Sequence, residues 1–118
     1  MLDTNAVISL LQGNSSIEFK LSQAGWIGIS VISVIEFFSF PRLTTADNQI
    51  FSTFLQRIET VPLLDDLKFL QKVSALKLRT RLKLPDAIIA QSAIEKNATL
   101  ITNDKDFSKI PTLVIQYF

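Results

Sequence analysis

Four acidic residues stand where an α/β protein can put them to chemical use. Asp3 follows a short apolar opening, Asp104 follows the apolar run TLIT and precedes the turn DKDF, and Asp86 lies just inside the helix that Pro85 opens. If the strands before Asp3 and Asp104 are neighbours, both carboxylates project from the carboxyl edge of one parallel sheet, where open α/β folds place their ligands. Asp86 belongs to the helix feeding the second of these strands, so all three can share a cavity. Taken singly, each aspartate is better explained as a helix cap or first-turn acid, a role that contributes about 1 kcal/mol. Taken together, the three bring like charges close, which is unfavourable unless a cation or shared protons compensate. The joint pattern therefore favours a metal.

Glu36 is the only charge in the stretch WIGISVISVIEFFSFP, and ionised carboxylates are rarely buried without a partner. Ser33 and Glu36 have the S-x-x-E spacing of a capping box, in which Glu36 reaches back to the amide of Ser33. Capping and function carry equal weight here and are compatible, because a glutamate in the first turn after a parallel strand overhangs the same edge as Asp3. Asp106, two residues beyond Asp104, either completes the acidic set or stabilises the short helix before Phe107, with the latter favoured. Thr4, Asn5, Thr102 and Asn103 flank the acids with hydroxyls and amides suited to hydrogen-bonding a ligating carboxylate.

The elements that must position these residues follow from hydrophobic periodicity. Apolar runs of strand length alternate with stretches of helical period, the pattern of a parallel α/β sheet. Strands are expected ending at Leu2 and over Trp26 to Ser30, Thr60 to Leu63, Thr99 to Thr102 and Leu113 to Ile115. Helices are expected over Thr4 to Leu11, Ile17 to Gln23, Ser33 to Phe40, Asp47 to Ile58, Asp65 to Arg79 and Pro85 to about Asn97. In the fifth helix, Leu67, Leu70, Val73, Ala75 and Leu78 are the expected apolar positions. The opening strand is short, which weakens the positioning of Asp3 and suggests a longer native N-terminus.

A length of 118 residues with 47% hydrophobic content suits one domain over 1–118. There is no histidine and no cysteine, which removes the usual general base, thiolate zinc sites and Ser-His or Cys-His nucleophiles. The lack of cysteine fits a reducing cytosol, so a cytoplasmic location is expected. The apolar stretch Ala6 to Leu11 is too short to span a membrane. A net charge of +1 means that a nucleic-acid partner would be held by a local basic patch. Lys77, Arg79, Arg81 and Lys83, just before Asp86, form such a patch, although a solvated helix end explains them too.

The segments LDTN, ISVISVIEF, LKLPDAIIAQSAIE and LITNDKDF, in this order and across nearly the whole chain, resemble a PIN-domain protein of the VapC toxin type. That resemblance implies a three-layer α/β/α fold with a five-stranded parallel sheet ordered 3-2-1-4-5. It also implies an endoribonuclease using one or two Mg²⁺ or Mn²⁺ ions. By motif position, Asp3, Glu36, Asp86 and Asp104 match the family's four acids, Thr102 its polar residue beside the last acid, and Asn5 the polar residue after the first. A homodimer and a cognate antitoxin are further implications, with Phe37, Phe38 and Phe40, or Phe51 and Phe54, as candidate contact surfaces. All-oxygen ligation suits these hard cations, and hydrolysis would leave 5′-phosphate and 3′-hydroxyl ends. Two other readings compete: a PIN-like module that binds RNA or protein without catalysis, and a phosphoacceptor receiver domain. The receiver pattern fits poorly, because a single acid follows the first strand and Leu63 and Leu64 precede Asp65.

Overall fold

The computed structural model describes residues 1–118. A single-residue strand at Leu2 (β1) bridges in parallel to Ile29 on one side and Ile101 on the other. Gly28–Ser30 (β2) pairs in parallel with Glu59–Val61 (β3), and Leu100–Thr102 (β4) with Ile115–Tyr117 (β5). The order across the sheet is thus 3-2-1-4-5, as the resemblance implied. The ladder on β1 is carried by Leu2 N donating to Gly28 O (2.9 Å), Ile101 N to Met1 O (2.8 Å) and Asp3 N to Ile101 O (3.2 Å). Asp3 is therefore pinned by the neighbouring strand at the carboxyl edge, short though β1 is.

Strand alternation divides the core into the two outer layers. Met1 and Leu100 point to one face, with Phe69, Val73 and Leu76 of Leu67–Thr80 (α5) and Ala87, Ile89, Ala90 and Ala93 of Leu84–Glu95 (α6). Leu2 and Ile101, one residue on, point to the other. There they meet Ala6 and Val7 of Thr4–Leu11 (α1), Ile17 of Ser15–Ser22 (α2), Phe37 of Val31–Phe38 (α3) and Phe51 of Thr45–Leu55 (α4). The rings of Phe37 and Phe51 pack with centroids 3.9 Å apart, whereas Phe38 and Phe40 are exposed. No helix is long and apolar enough to cross a membrane.

Local chemistry sets the boundaries. The third strand closes at Val61, before Pro62, rather than running to Leu63, since proline cannot donate to the ladder. Helix α3 begins at Val31, two residues earlier than expected, because Ser30 is its cap and accepts from Ile32 N at 3.1 Å. The Ser33–Glu36 capping box is therefore not formed, and Glu36 sits in the second turn rather than the first. In α5 the buried positions are Phe69, Val73, Leu76 and Thr80, while Leu67, Leu70, Ala75 and Leu78 are exposed. This helix carries two apolar stripes on opposite sides, and only the stripe containing Phe69 faces α6.

Candidate active site

Each acid reaches the carboxyl edge by a different local device. Asp3 ends β1 and caps α1. Its Oδ1 accepts from Ala6 N at 2.7 Å, and its Oδ2 accepts from the Thr102 hydroxyl. Thr102 is fully buried, and its Oγ1 also accepts from Asp104 N at 3.0 Å. One hydroxyl thus ties together the acids following β1 and β4. Asp104 caps the 3₁₀ turn Lys105–Lys109, with Oδ1 accepting from Asp106 N at 2.9 Å. Glu36 is held from α1, its Oε1 accepting from Thr4 Oγ1 at 2.8 Å. Asp86 lies in the first turn of α6, a helix with no side-chain cap, so capping does not account for it.

These four carboxylates line one cleft of about 380 Å³ at the carboxyl edge, with Thr4, Asn5, Ser39, Phe40, Ile89 and Phe107. Ser39 escaped the sequence reading and Phe40 entered it only as a candidate contact surface, although their positions three and four residues beyond Glu36 were a usable signal. A larger cleft of about 470 Å³, lined by Trp26, Ile27, Ala98 and Thr99, opens among residues outside the acidic set and contains no acid. The four acids gather in the smaller one.

The electrostatics show what converges there. Burial pushes the Asp86 carboxyl up to about 6, helped by the charges of Asp104 and Glu36, opposed by Lys83, and raised further by Asp3. Burial also raises Asp3; its bonds from Thr102 and Ala6 oppose this, while Asp104 and Glu36 add to it. Burial is the first cause for both acids, and the charges of Asp104 and Glu36 add to it in each, as they do where carboxylates gather.

Of the other expected participants, Asn5 reaches the cleft and the rest lie apart from its lining. The Asp106 carboxylate turns outward toward Lys109, 3.6 Å away, so it stabilises its own turn. Ser33 is fully buried within α3, and its hydroxyl has no hydrogen-bond partner. Asn5 is exposed at the rim. Arg79, Arg81 and Lys83 are exposed outside the lining, and of these Lys83 is close enough for its charge to act on Asp86.

In kind, these groups fit a hard divalent cation: all are oxygens, the pocket is acidic, and the carboxylates of Asp3, Glu36 and Asp104 are oriented by hydroxyl or amide donors. No group of three acids is already drawn together to hold one ion. Mutual repulsion opposes such an approach until positive charge enters.

The PIN domain family model matches residues 1–113. The chain belongs to the PIN domain family. Among solved structures it is similar to VapBC2 from Rickettsia felis bound to a DNA fragment from their promoter. There the identity is 27% and the TM-score 0.81, with 100% of this chain and 97% of that chain covered. It is also similar to a toxin-antitoxin complex from Klebsiella pneumoniae, at 30% identity and a TM-score of 0.80, with 96% and 93% covered. VapBC-1 from nontypeable Haemophilus influenzae matches at 25% identity and a TM-score of 0.76, with 99% and 96% covered. No match was found among curated proteins. The VapC-type PIN likeness read from the four motifs is the likeness these comparisons show.

Proposed function

We propose that this PIN domain is a metal-dependent endoribonuclease acting as the toxin of a toxin-antitoxin pair, with Asp3, Glu36, Asp86 and Asp104 as its catalytic acids. The observation that carries this reading is their convergence, from four separate segments, on one cleft. Hydrogen bonds orient three of the four acids, Asp3, Glu36 and Asp104, which supports a site built around them rather than an incidental cluster.

A bound Mg²⁺ or Mn²⁺, as one or two ions, supplies neutralisation of phosphodiester charge and an activated water. The chain's own contribution is orientation and proton handling. Thr102 and Ala6 fix both oxygens of Asp3, and Thr4 fixes one oxygen of Glu36. Asp86 has neither a hydrogen bond nor an ion pair, and in the metal-free protein burial and its acidic neighbours push its carboxyl up to about 6, so it holds a proton just below neutral pH that an entering cation would displace. Phe40, Ile89 and Phe107 bound the cleft with apolar surface that limits water around the acids.

The same reading includes a cognate antitoxin, as in the matched toxin-antitoxin complexes, and self-association as a homodimer. The exposed leucines 67, 70 and 78 of α5 offer a surface for the latter. Single-stranded RNA incubated with Mn²⁺ or Mg²⁺ should be cleaved. Cleavage should cease with EDTA and in the Asp86→Asn variant; activity persisting in that variant, free of contaminating nuclease, would remove the acidic site from the mechanism.

A further inference from the structure

Three helices of this chain end on a residue in the left-handed region. After α1 it is Gly13 (φ +88°) and after α6 it is Asn97 (φ +51°), the two residue types that enter this region at least cost. After α5 it is Arg81, with φ +60° and ψ +21°. An arginine gains nothing from that backbone, since its Cβ crowds the carbonyl that glycine would leave free. The turn is nevertheless firmly set. Arg81 N donates to Lys77 O at 2.8 Å, and Thr80 and Leu82 on either side are buried. Thr80 Oγ1 donates to Leu76 O at 2.7 Å and accepts from Leu82 N at 3.3 Å. With both neighbours anchored in the core, the Arg81 side chain is presented outward from a fixed base.

The charge around this turn is one-signed. Lys77, Arg79, Arg81 and Lys83 fall within seven residues that contain no acid, and none of the four takes part in an ion pair. Two residues beyond Arg81, Lys83 is the cap residue of α6, whose first turn carries Asp86 into the lining of the cleft. The turn thus places free cations beside a pocket of carboxylates that would otherwise repel a polyanion. A guanidinium matches a phosphate through paired donors and does not lose its charge.

We propose that Arg81 is a backbone-phosphate contact for RNA entering the cleft, and that this contact is why an arginine occupies a turn suited to glycine. The inference rests on the nuclease reading above. Backbone contacts position a strand without reading its sequence, so Arg81 acts on all single-stranded substrates alike.

The test compares Arg81→Gly and Arg81→Lys, each in an Asp86→Asn background that prevents hydrolysis. The measurements are thermal denaturation and fluorescence anisotropy with a labelled 20-nucleotide mixed-sequence RNA. Arg81→Gly should leave Tm unchanged or raise it by about 2–5 °C. The same variant should weaken RNA binding about 3- to 10-fold and flatten the dependence of log K on log salt by about 0.7. Arg81→Lys should retain most of the affinity and the parent salt slope. If the background protein binds no RNA, the RNA reading itself falls and this contact with it. If it binds and Arg81→Gly binds equally well, only the assignment of Arg81 falls. A lowered Tm in Arg81→Gly would overturn the argument from strain. Weakened binding to poly-glutamate with RNA binding intact would instead assign Arg81 to an acidic protein partner.

Discussion

Replacing Asp86 by asparagine should stabilise the protein without metal and destabilise it, relative to the parent, when metal is present. In the metal-free protein the carboxyl is raised from 3.8 to about 6, chiefly by burial and then by its acidic neighbours. At 1.36 kcal/mol per pH unit this corresponds to roughly 3 kcal/mol between protonation states. Asp86 is only half-buried, so solvent screening reduces the effect on stability to about 1 kcal/mol. The sign follows from the direction of the shift. The protonated form is favoured in the fold, so its contribution is full below pH 3.8 and is lost as the pH rises through about 6. Asparagine carries no charge and escapes that loss. Urea denaturation in EDTA should therefore show Asp86→Asn more stable than the parent by about 1 kcal/mol at pH 7.5, with the gap closing toward pH 4. Saturating Mn²⁺ should reverse the order, since an ion at 100 times its Kd adds about 2.7 kcal/mol to the protein that binds it. A variant less stable than the parent in EDTA at pH 7.5, or equal stabilisation of both proteins by Mn²⁺, would refute this electrostatic account.

Three other outcomes follow from the same geometry. Thr102→Val removes the donor to Asp3 and the acceptor for the Asp104 amide. It should cost about 1–3 kcal/mol in urea denaturation and about 10- to 100-fold in Mn²⁺ affinity by calorimetry. Ser33→Ala deletes a buried hydroxyl that has no partner, so thermal denaturation should show it neutral or stabilised by up to about 1 kcal/mol. Lys96 and Trp26 hold the Glu59 carboxyl below its ordinary 4.5, through bonds of 2.8 and 2.6 Å. Its contribution is present above pH 4.5 and lost as the pH falls below it, so Glu59→Gln should lower Tm at pH 7 and converge with the parent in acid.

The positions of Asp3, Asp86 and Asp104 were legible because each is tied to a boundary that leaves a mark in sequence: a strand end, a proline-opened helix, a strand-to-turn junction. Glu36 was found but misplaced. Ser30 and Ser33 are both flanked by β-branched residues, and nothing local distinguishes a cap from a serine one turn further in. Ser30 won because β2 ends there. Thr4 was read as a flanking hydroxyl, while its bond to Glu36 spans 32 positions and depends on how α1 and α3 pack. The face of α5 was misread for a related reason. Leucines at 67, 70 and 78 make as regular a stripe as Phe69, Val73 and Leu76, and only the tertiary position of α6 decides between them. Asp106 was a harder case, since two acids in DKDF look alike until Lys109 draws one away.

Crystals of the protein soaked in Mn²⁺ and measured at the manganese absorption edge test the central claim most directly. An anomalous peak should lie within coordinating distance of carboxylate oxygens from Asp3, Asp86 and Asp104, with Glu36 binding it directly or through water. A fully soaked crystal with no peak in that cleft, or with manganese bound only elsewhere, would contradict it.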